Sequence, residues 1–181
     1  MRKNRFSSSL ALSCLLFAIP SAYANSNHSE DLFPQERAYL ARSDQTKAVA
    51  EPYFSAYIAR DWAALETLMH TEVSWRDPTA EQLFAGMAVR GKSTALDHLR
   101  KIFSGILNMD AHVTRRLFSA NHAIFESALD WTSALENGKS MTIRATPFVV
   151  VLRIQDGKVV EHTDYADYHG FISEYHRSRR N

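Results

Sequence analysis

Hydrophobic spacing divides the chain into a helical first half and a β-rich second half. From about Glu36 to Met69, apolar positions recur at helical intervals. "ERAYLARS" reads as a short turn or helix, and "DQTKAVAEPYFSAYIAR" repeats Val49, Tyr53, Ala56, Tyr57 and Ile58. Pro52 falls inside that pattern, so a helix either starts or kinks there. Asp61 is placed as the N-cap of "WAALETLM", whose Trp62, Leu65 and Leu68/Met69 share one face. "TEVSWRDP" alternates as a short strand ended by Pro78, and residues 79–91 read as a loop with some helical character. "KSTALDHLRKIFSGIL" is an amphipathic helix with Ala95, Leu96, Leu99, Ile102, Phe103 and Ile106 facing inward.

Beyond that helix the period drops to two. "AHVTRRLFSA", "HAIFESALDWTSA", "SMTIRATPFVVVLRI" and "KVVEHTDYADY" are strand candidates. "ENGK" and "QDGK" carry the Asn-Gly and Asp-Gly signals of hairpins, and the connection around Asn121 is equally short. "FISEYHRSRRN" adds a last helical turn and a basic tail. Helices, one short strand, a helix and an antiparallel meander together predict an α+β fold, a curved sheet over a layer of helices.

The first 24 residues fall outside this pattern. Arg2, Lys3 and Arg5 precede the apolar run Leu10–Pro20, and "SAYA" offers small residues at Ala22 and Ala24. A run of that length is too short to span a bilayer as a helix of roughly 20 residues. It reads as a signal peptide cut after Ala24, which predicts an exported protein, periplasmic or secreted. Residues 25–44 are then a lead-in, 45–172 the folded domain and 173–181 the tail. Cys14, the only cysteine, leaves with the signal, so the exported chain holds no disulfide and no thiol nucleophile. Removing the three N-terminal cations turns the near-even charge balance slightly negative. That gives no case for nucleic acid or an anionic membrane surface, and no membrane insertion is expected once the signal is gone.

"GMAVRGKST" (86–94) fits the phosphate-loop pattern, which needs a buried strand before it and a helix after it. Here only one short strand precedes the motif and the later strands are antiparallel, so no nucleotide is expected. Gly91 ends a loop, and Ser93 is the expected N-cap of the following helix.

"VAEPYFSAYIARDWAALETLMHTEVSWRDP", "VRGKSTALDHLRKIF" and "FVVVLRIQDGKVVEHTDYADY" resemble, in order and spacing, the nuclear transport factor 2-like superfamily. Within it they are similar to SnoaL-like polyketide cyclases, ketosteroid isomerases and limonene epoxide hydrolases. The resemblance covers roughly residues 45–172. It implies a cone: a curved antiparallel sheet wrapped around three to four N-terminal helices, with a deep apolar pocket at the open end. It also implies a homodimer, a small hydrophobic molecule as ligand and no cofactor.

The resemblance implies three candidate sites. The ketosteroid isomerase pattern places a tyrosine at Tyr53 and a base at Asp77, ahead of Pro78, but puts Val149 or Val150 where a second acid belongs. The epoxide hydrolase pattern places carboxylates at Asp164 and Asp130, with Ala128 at the arginine position, Arg144 on the neighbouring strand, and Trp75 and Asp77 where the attacking water is held. The looser cyclase pattern is met by Asp77, Asp164, His162 and Tyr53. On the last strand, alternation puts Val160, His162, Asp164, Ala166 and Tyr168 on one face.

Each candidate also has a purely structural reading. Asp77 before proline suits a turn residue capping backbone N–H groups, and Tyr53 suits core packing. Asp164 can pair with Arg144 or Arg153, and Asp130 with solvent. Trp62, Trp75, Phe84, Phe103 and Trp131 suit core or pocket wall. No metal is expected, because His70, His98, His112, His122 and His169 lack ligand spacing and His162 with Asp164 offers too few ligands. Three functions stay open: a cofactor-free acid–base enzyme acting as isomerase, cyclase or hydrolase, a small-molecule binding protein, and a partner-interaction module.

Overall fold

The computed structural model describes residues 32–178; the expected signal segment and cleavage site lie outside them. The first helix, α1 (Pro34–Ala59), is one helix of 26 residues. It runs through Pro52, so neither a start nor a separate short helix occurs there. Pro52 lies on the exposed side of the helix, which continues past the one i→i−4 bond that proline cannot make. Thr46, Ala50, Tyr53, Phe54 and Tyr57 are buried at spacings of three and four, which lays one face of α1 on the sheet. Phe54 stacks on Phe125 with centroids 4.3 Å apart. The helix ends where Arg60 turns left-handed at φ 59°.

Asp61 caps α2 (Trp62–Leu68), accepting from the Ala64 N–H at 3.0 Å as expected. After β1 (Met69–Arg76), a 3-10 turn (Ala80–Gln82) and β2 (Ala88–Arg90) fill the loop region. The next helix, α3 (Lys92–Ile102), begins after Gly91, whose φ of 90° makes glycine the N-cap in place of Ser93. The same helix stops earlier than its apolar pattern suggests. Gly105 follows its end, and Ile106 belongs to β3 (Ile106–Ser119), not to the helix face. The "GKST" stretch thus joins a three-residue strand to α3, and Lys92 donates to the Glu66 carbonyl.

β3, β4 (His122–Ala134), β5 (Ser140–Gln155) and β6 (Lys158–Ala166) form the antiparallel meander. β1 joins its far side, parallel to β6, and β2 pairs antiparallel with β1. The sheet order is β2-β1-β6-β5-β4-β3. Asp156 and Gly157 both take positive φ, which closes the β5–β6 hairpin in two residues. Along β4, residues 123, 125, 127, 129 and 131 point inward with strict alternation. On β6 the alternation slips: Ile154 pairs with Val159 but Arg153 pairs with Glu161. Val160 is the extra residue of a bulge, so Val159 faces the core where Val160 was expected. The last helix, α4 (His169–Ser178), lies near the end of β5, with Gly170 against Ile143. No described helix is long and apolar enough to cross a membrane.

Candidate functional site

Two periodicities meet at the centre of this fold. On α1, Tyr53 and Tyr57 are one turn apart and share a face. On β6, His162 and Asp164 are two apart and also share a face. Their side chains form a chain of hydrogen bonds. The Tyr53 hydroxyl lies 2.9 Å from His162 Nδ1, His162 Nε2 lies 2.6 Å from Asp164 Oδ1, and the Tyr57 hydroxyl donates to Asp164 Oδ2 at 2.5 Å. None of the four is more than 2% exposed. With an ionised Asp164, which only accepts, Nε2 carries a hydrogen, and in the neutral imidazole Nδ1 then accepts from Tyr53. All four groups are then satisfied in one direction. Burial, reinforced by the Asp164 charge, pushes both tyrosine hydroxyls well above the usual phenol range, so they stay donors.

A cavity of about 570 Å³ opens on one side of this tetrad. Asp164 and Tyr57 line it, whereas Tyr53 and His162 lie behind the wall. Apolar and aromatic side chains make most of the surface, among them Phe103, Met109, Leu129, Trp131 and Phe148. Phe84, Tyr168 and Phe171 pack edge to face where α4 meets the loop after β1.

Asp77 also lines the cavity and is 3% exposed. Its Oδ1 accepts from the Thr79 N–H, the Thr79 hydroxyl and the Ala80 N–H at 2.9, 2.6 and 2.7 Å. Its Oδ2 accepts from the Tyr168 hydroxyl at 2.6 Å. The carboxylate therefore organises the turn that leads out of β1 and fastens it to the segment after β6. Burial first, and the bond to Asp77 second, hold the Tyr168 phenol far above its ordinary value.

Trp75, inward on β1 and beside His162 across the parallel pair, forms part of the wall. Asp130 and Arg144 do not join this group. Asp130 sits on the opposite face of β4 and meets Arg144 at 3.4 Å, with the Arg144 side chain largely in solvent. Ala145, at a positive φ of 53°, donates its N–H to Asp130 Oδ1, so that carboxylate holds an outer bulge. Asp164 pairs with neither Arg144 nor Arg153, whose partner is Glu161 at 2.6 Å.

Tyr57 and His98 line the wall without a role in the sequence reading. Tyr57 is the tyrosine of α1 that reaches the cavity, and its signal was the Tyr-x-x-x-Tyr spacing, which puts it on the same helix face as Tyr53. His98 lines the cavity from α3 and had no distinguishing pattern. Among the described residues, no three His, Asp or Glu side chains converge as metal ligands.

Several solved structures share this fold. A protein described as a SnoaL-like polyketide cyclase from Shewanella denitrificans OS-217 superposes with a TM-score of 0.64 at 17% identity, over 73% of this chain and 97% of that one. A counterpart from Shewanella putrefaciens CN-32 gives 0.64 at 20% identity, over 74% and 97%. An LEH-like epoxide hydrolase of M. tuberculosis gives 0.56 at 12% identity, over 74% and 91%. At such identities the likeness speaks for fold alone. No curated protein matches the sequence. The family model of the SnoaL-like domain matches residues 50–162, from the middle of α1 to the histidine of the tetrad. The chain belongs to the SnoaL-like domain family.

Proposed function

We propose that the protein is a cofactor-free acid–base enzyme acting on a small, largely apolar molecule, with Asp164 as the proton carrier. The observation that carries this reading is the placement of Asp164. It is a buried carboxylate on the wall of an apolar cavity, held by Tyr57 on one oxygen and by His162 on the other. A carboxylate so fixed has a lone pair left on each oxygen for a ligand C–H or O–H, and no rotamer freedom to lose when it reacts. His162 and Tyr53 act behind it as positioning residues. The reaction class is proton transfer next to a carbonyl, as an isomerase or cyclase requires. Asp77, saturated by four protein donors, serves the architecture of the wall.

The experiment is solvent-deuterium exchange. Purified protein in D2O is incubated with enones and polyketide-like 1,3-diketones, and deuterium at the α-carbon is followed by NMR. Protein-dependent exchange that disappears in Asp164→Asn supports the reading, and exchange that survives in Asp164→Asn overturns it.

Binding without turnover is the second reading. It is favoured by the fact that every carboxylate oxygen in the cavity already has a protein donor. Saturable binding with no exchange for any bound ketone would decide for it. Export belongs to the same proposal and is supported by the signal pattern of residues 1–24. A homodimer is supported by an apolar stripe on the outer face, where Leu117, Ile124 and Val151 are cross-strand neighbours and Leu117 is 45% exposed.

A further inference from the structure

We infer that Trp75 and His98 form a second polar pole of the cavity, built to receive an oxygen atom of the ligand. The inference rests on reading the cavity as a small-molecule site, and it adds a requirement on the molecule that enters. Among the described residues, two buried side-chain nitrogens lack a hydrogen-bond partner: Trp75 Nε1 and His98 Nε2. Both residues line the same cavity, and their rings stand 5.1 Å apart at 48°. One comes from β1 and the other from α3, so two elements each bring a residue with an unpaired nitrogen to the same cavity wall.

Buried polar atoms are nearly always paired, because an unmade bond in a low-dielectric interior forfeits the water that was given up. The neighbourhood shows that this protein is otherwise strict. Each side-chain oxygen and nitrogen of the Tyr53–His162–Asp164–Tyr57 tetrad is paired, and so are Asp77 and Tyr168. The two exceptions both belong to residues of the cavity wall, so a bound group is the partner the protein leaves open for them.

Chemistry narrows that group. An indole N–H only donates, so whatever meets Trp75 must accept, and an oxygen is the acceptor an otherwise apolar molecule offers. Burial, with Lys101 one turn along α3, pushes the His98 imidazole down, which keeps it neutral near pH 7. Neutral imidazole offers Nε2 as donor or acceptor according to tautomer, and no hydrogen bond from another described residue fixes the choice. An oxygen that only accepts receives two hydrogen bonds here. A hydroxyl accepts from Trp75 and donates to His98. The ligand class is therefore an oxygenated apolar ring system, a ketone or a phenol, with its oxygen at Trp75 and His98 and its reactive position toward Asp164. A bare hydrocarbon leaves both nitrogens unpaired.

The test uses three probes of one skeleton: naphthalene, 2-methoxynaphthalene and 2-naphthol. Affinities for the full mature protein are measured by ligand-detected NMR, and the indole N–H resonances are followed in a 15N-labelled sample. The expected result is that at least one oxygenated probe binds about fivefold or more tighter than naphthalene and shifts the Trp75 indole resonance. Trp75→Phe then removes the preference while naphthalene still binds. Preference for both oxygenated probes means that His98 donates, and preference for 2-naphthol alone means that it accepts; either supports the pole. Equal affinities for all three probes, or a preference that survives Trp75→Phe, overturn it while leaving the cavity as a binding site. No binding of any probe overturns the cavity reading and this inference with it. Should Trp75→Phe fail to fold, the indole shift in the unaltered protein decides.

Discussion

His162 and Asp164 stand two residues apart on one face of β6, with Nε2 and Oδ1 2.6 Å apart and both side chains buried. Neighbours on a strand face are usually too far apart to bond so closely, and the Tyr53 hydroxyl behind the imidazole and the Tyr57 hydroxyl on the other oxygen hold the pair in line. The arrangement separates two duties: Asp164 meets the cavity, and His162 keeps it aimed.

Asp164→Asn is expected to lower proton exchange by about 10²-fold or more with the fold intact, since general acid–base groups contribute on that scale. His162→Gln is expected to cost less, about tenfold, and to change the pH profile. Rates against pH for both variants check the division of duties, and a larger loss at His162 than at Asp164 would reverse it.

Tyr53→Phe removes only a hydroxyl, yet it strands the buried Nδ1 of His162. A loss of about 1–2 kcal/mol in stability is expected, read by urea denaturation. Ligand affinity should hold, because Tyr53 does not line the cavity. An unchanged midpoint would mean that the imidazole finds another donor.

Asp77 separates cap from catalyst. Asp77→Asn keeps an oxygen for the Thr79 and Ala80 N–H groups and should retain stability and exchange within a few-fold. Asp77→Ala loses the cap and should cost about 1–2 kcal/mol. If Asp77→Asn instead cuts exchange as deeply as Asp164→Asn, Asp77 is the proton carrier.

Alkaline pH should destabilise the protein through three phenols. Tyr53, Tyr57 and Tyr168 are held above their unfolded value near 10. The folded state therefore keeps protons that the unfolded chain gives up. Their contribution is complete below about pH 10 and declines as pH rises through their elevated folded values. Thermal melts between pH 8 and 11.5 should show the fall, and phenolate absorbance should show three tyrosines silent until unfolding. A flat profile would contradict the buried assignment.

Expression of the full chain with periplasmic recovery should yield a protein beginning at Asn25, read by intact mass. An uncleaved N-terminus would remove the support for export.

The chain announced its turns better than its contacts. Asp156-Gly157 located a hairpin to the residue because only positive φ closes a two-residue loop there. Asp61 was legible as a cap because its carboxylate acts within three residues. Gly105 interrupted the apolar run that suggested a longer α3, and Ile106 beyond it went to β3. Val160 escaped notice because a bulge belongs to a pair of strands and leaves no mark on one of them. For the same reason Asp130 and Asp164 looked equivalent as carboxylates on strands. A period of two says that residues alternate, and only the bulge near Asp130 and the wrap of the sheet decide which face is inside. Tyr57 was visible as an apolar-face residue, while its reach into the cavity depended on Asp164, 107 positions away.

The parallel pairing of β1 with β6 has a temporal consequence. β6 is the final strand, and the bonds that join α1 to it reach across more than a hundred residues. Closing loops of that length comes late and slowly, after the local hairpins have formed. A nascent or truncated chain lacking residues beyond 160 can make its helices and much of its meander, but it has neither the acid nor the imidazole. The proposed reactivity is therefore withheld until β6 has been made and paired, and a proteolytic nick within β6 would abolish it while leaving most of the sheet intact.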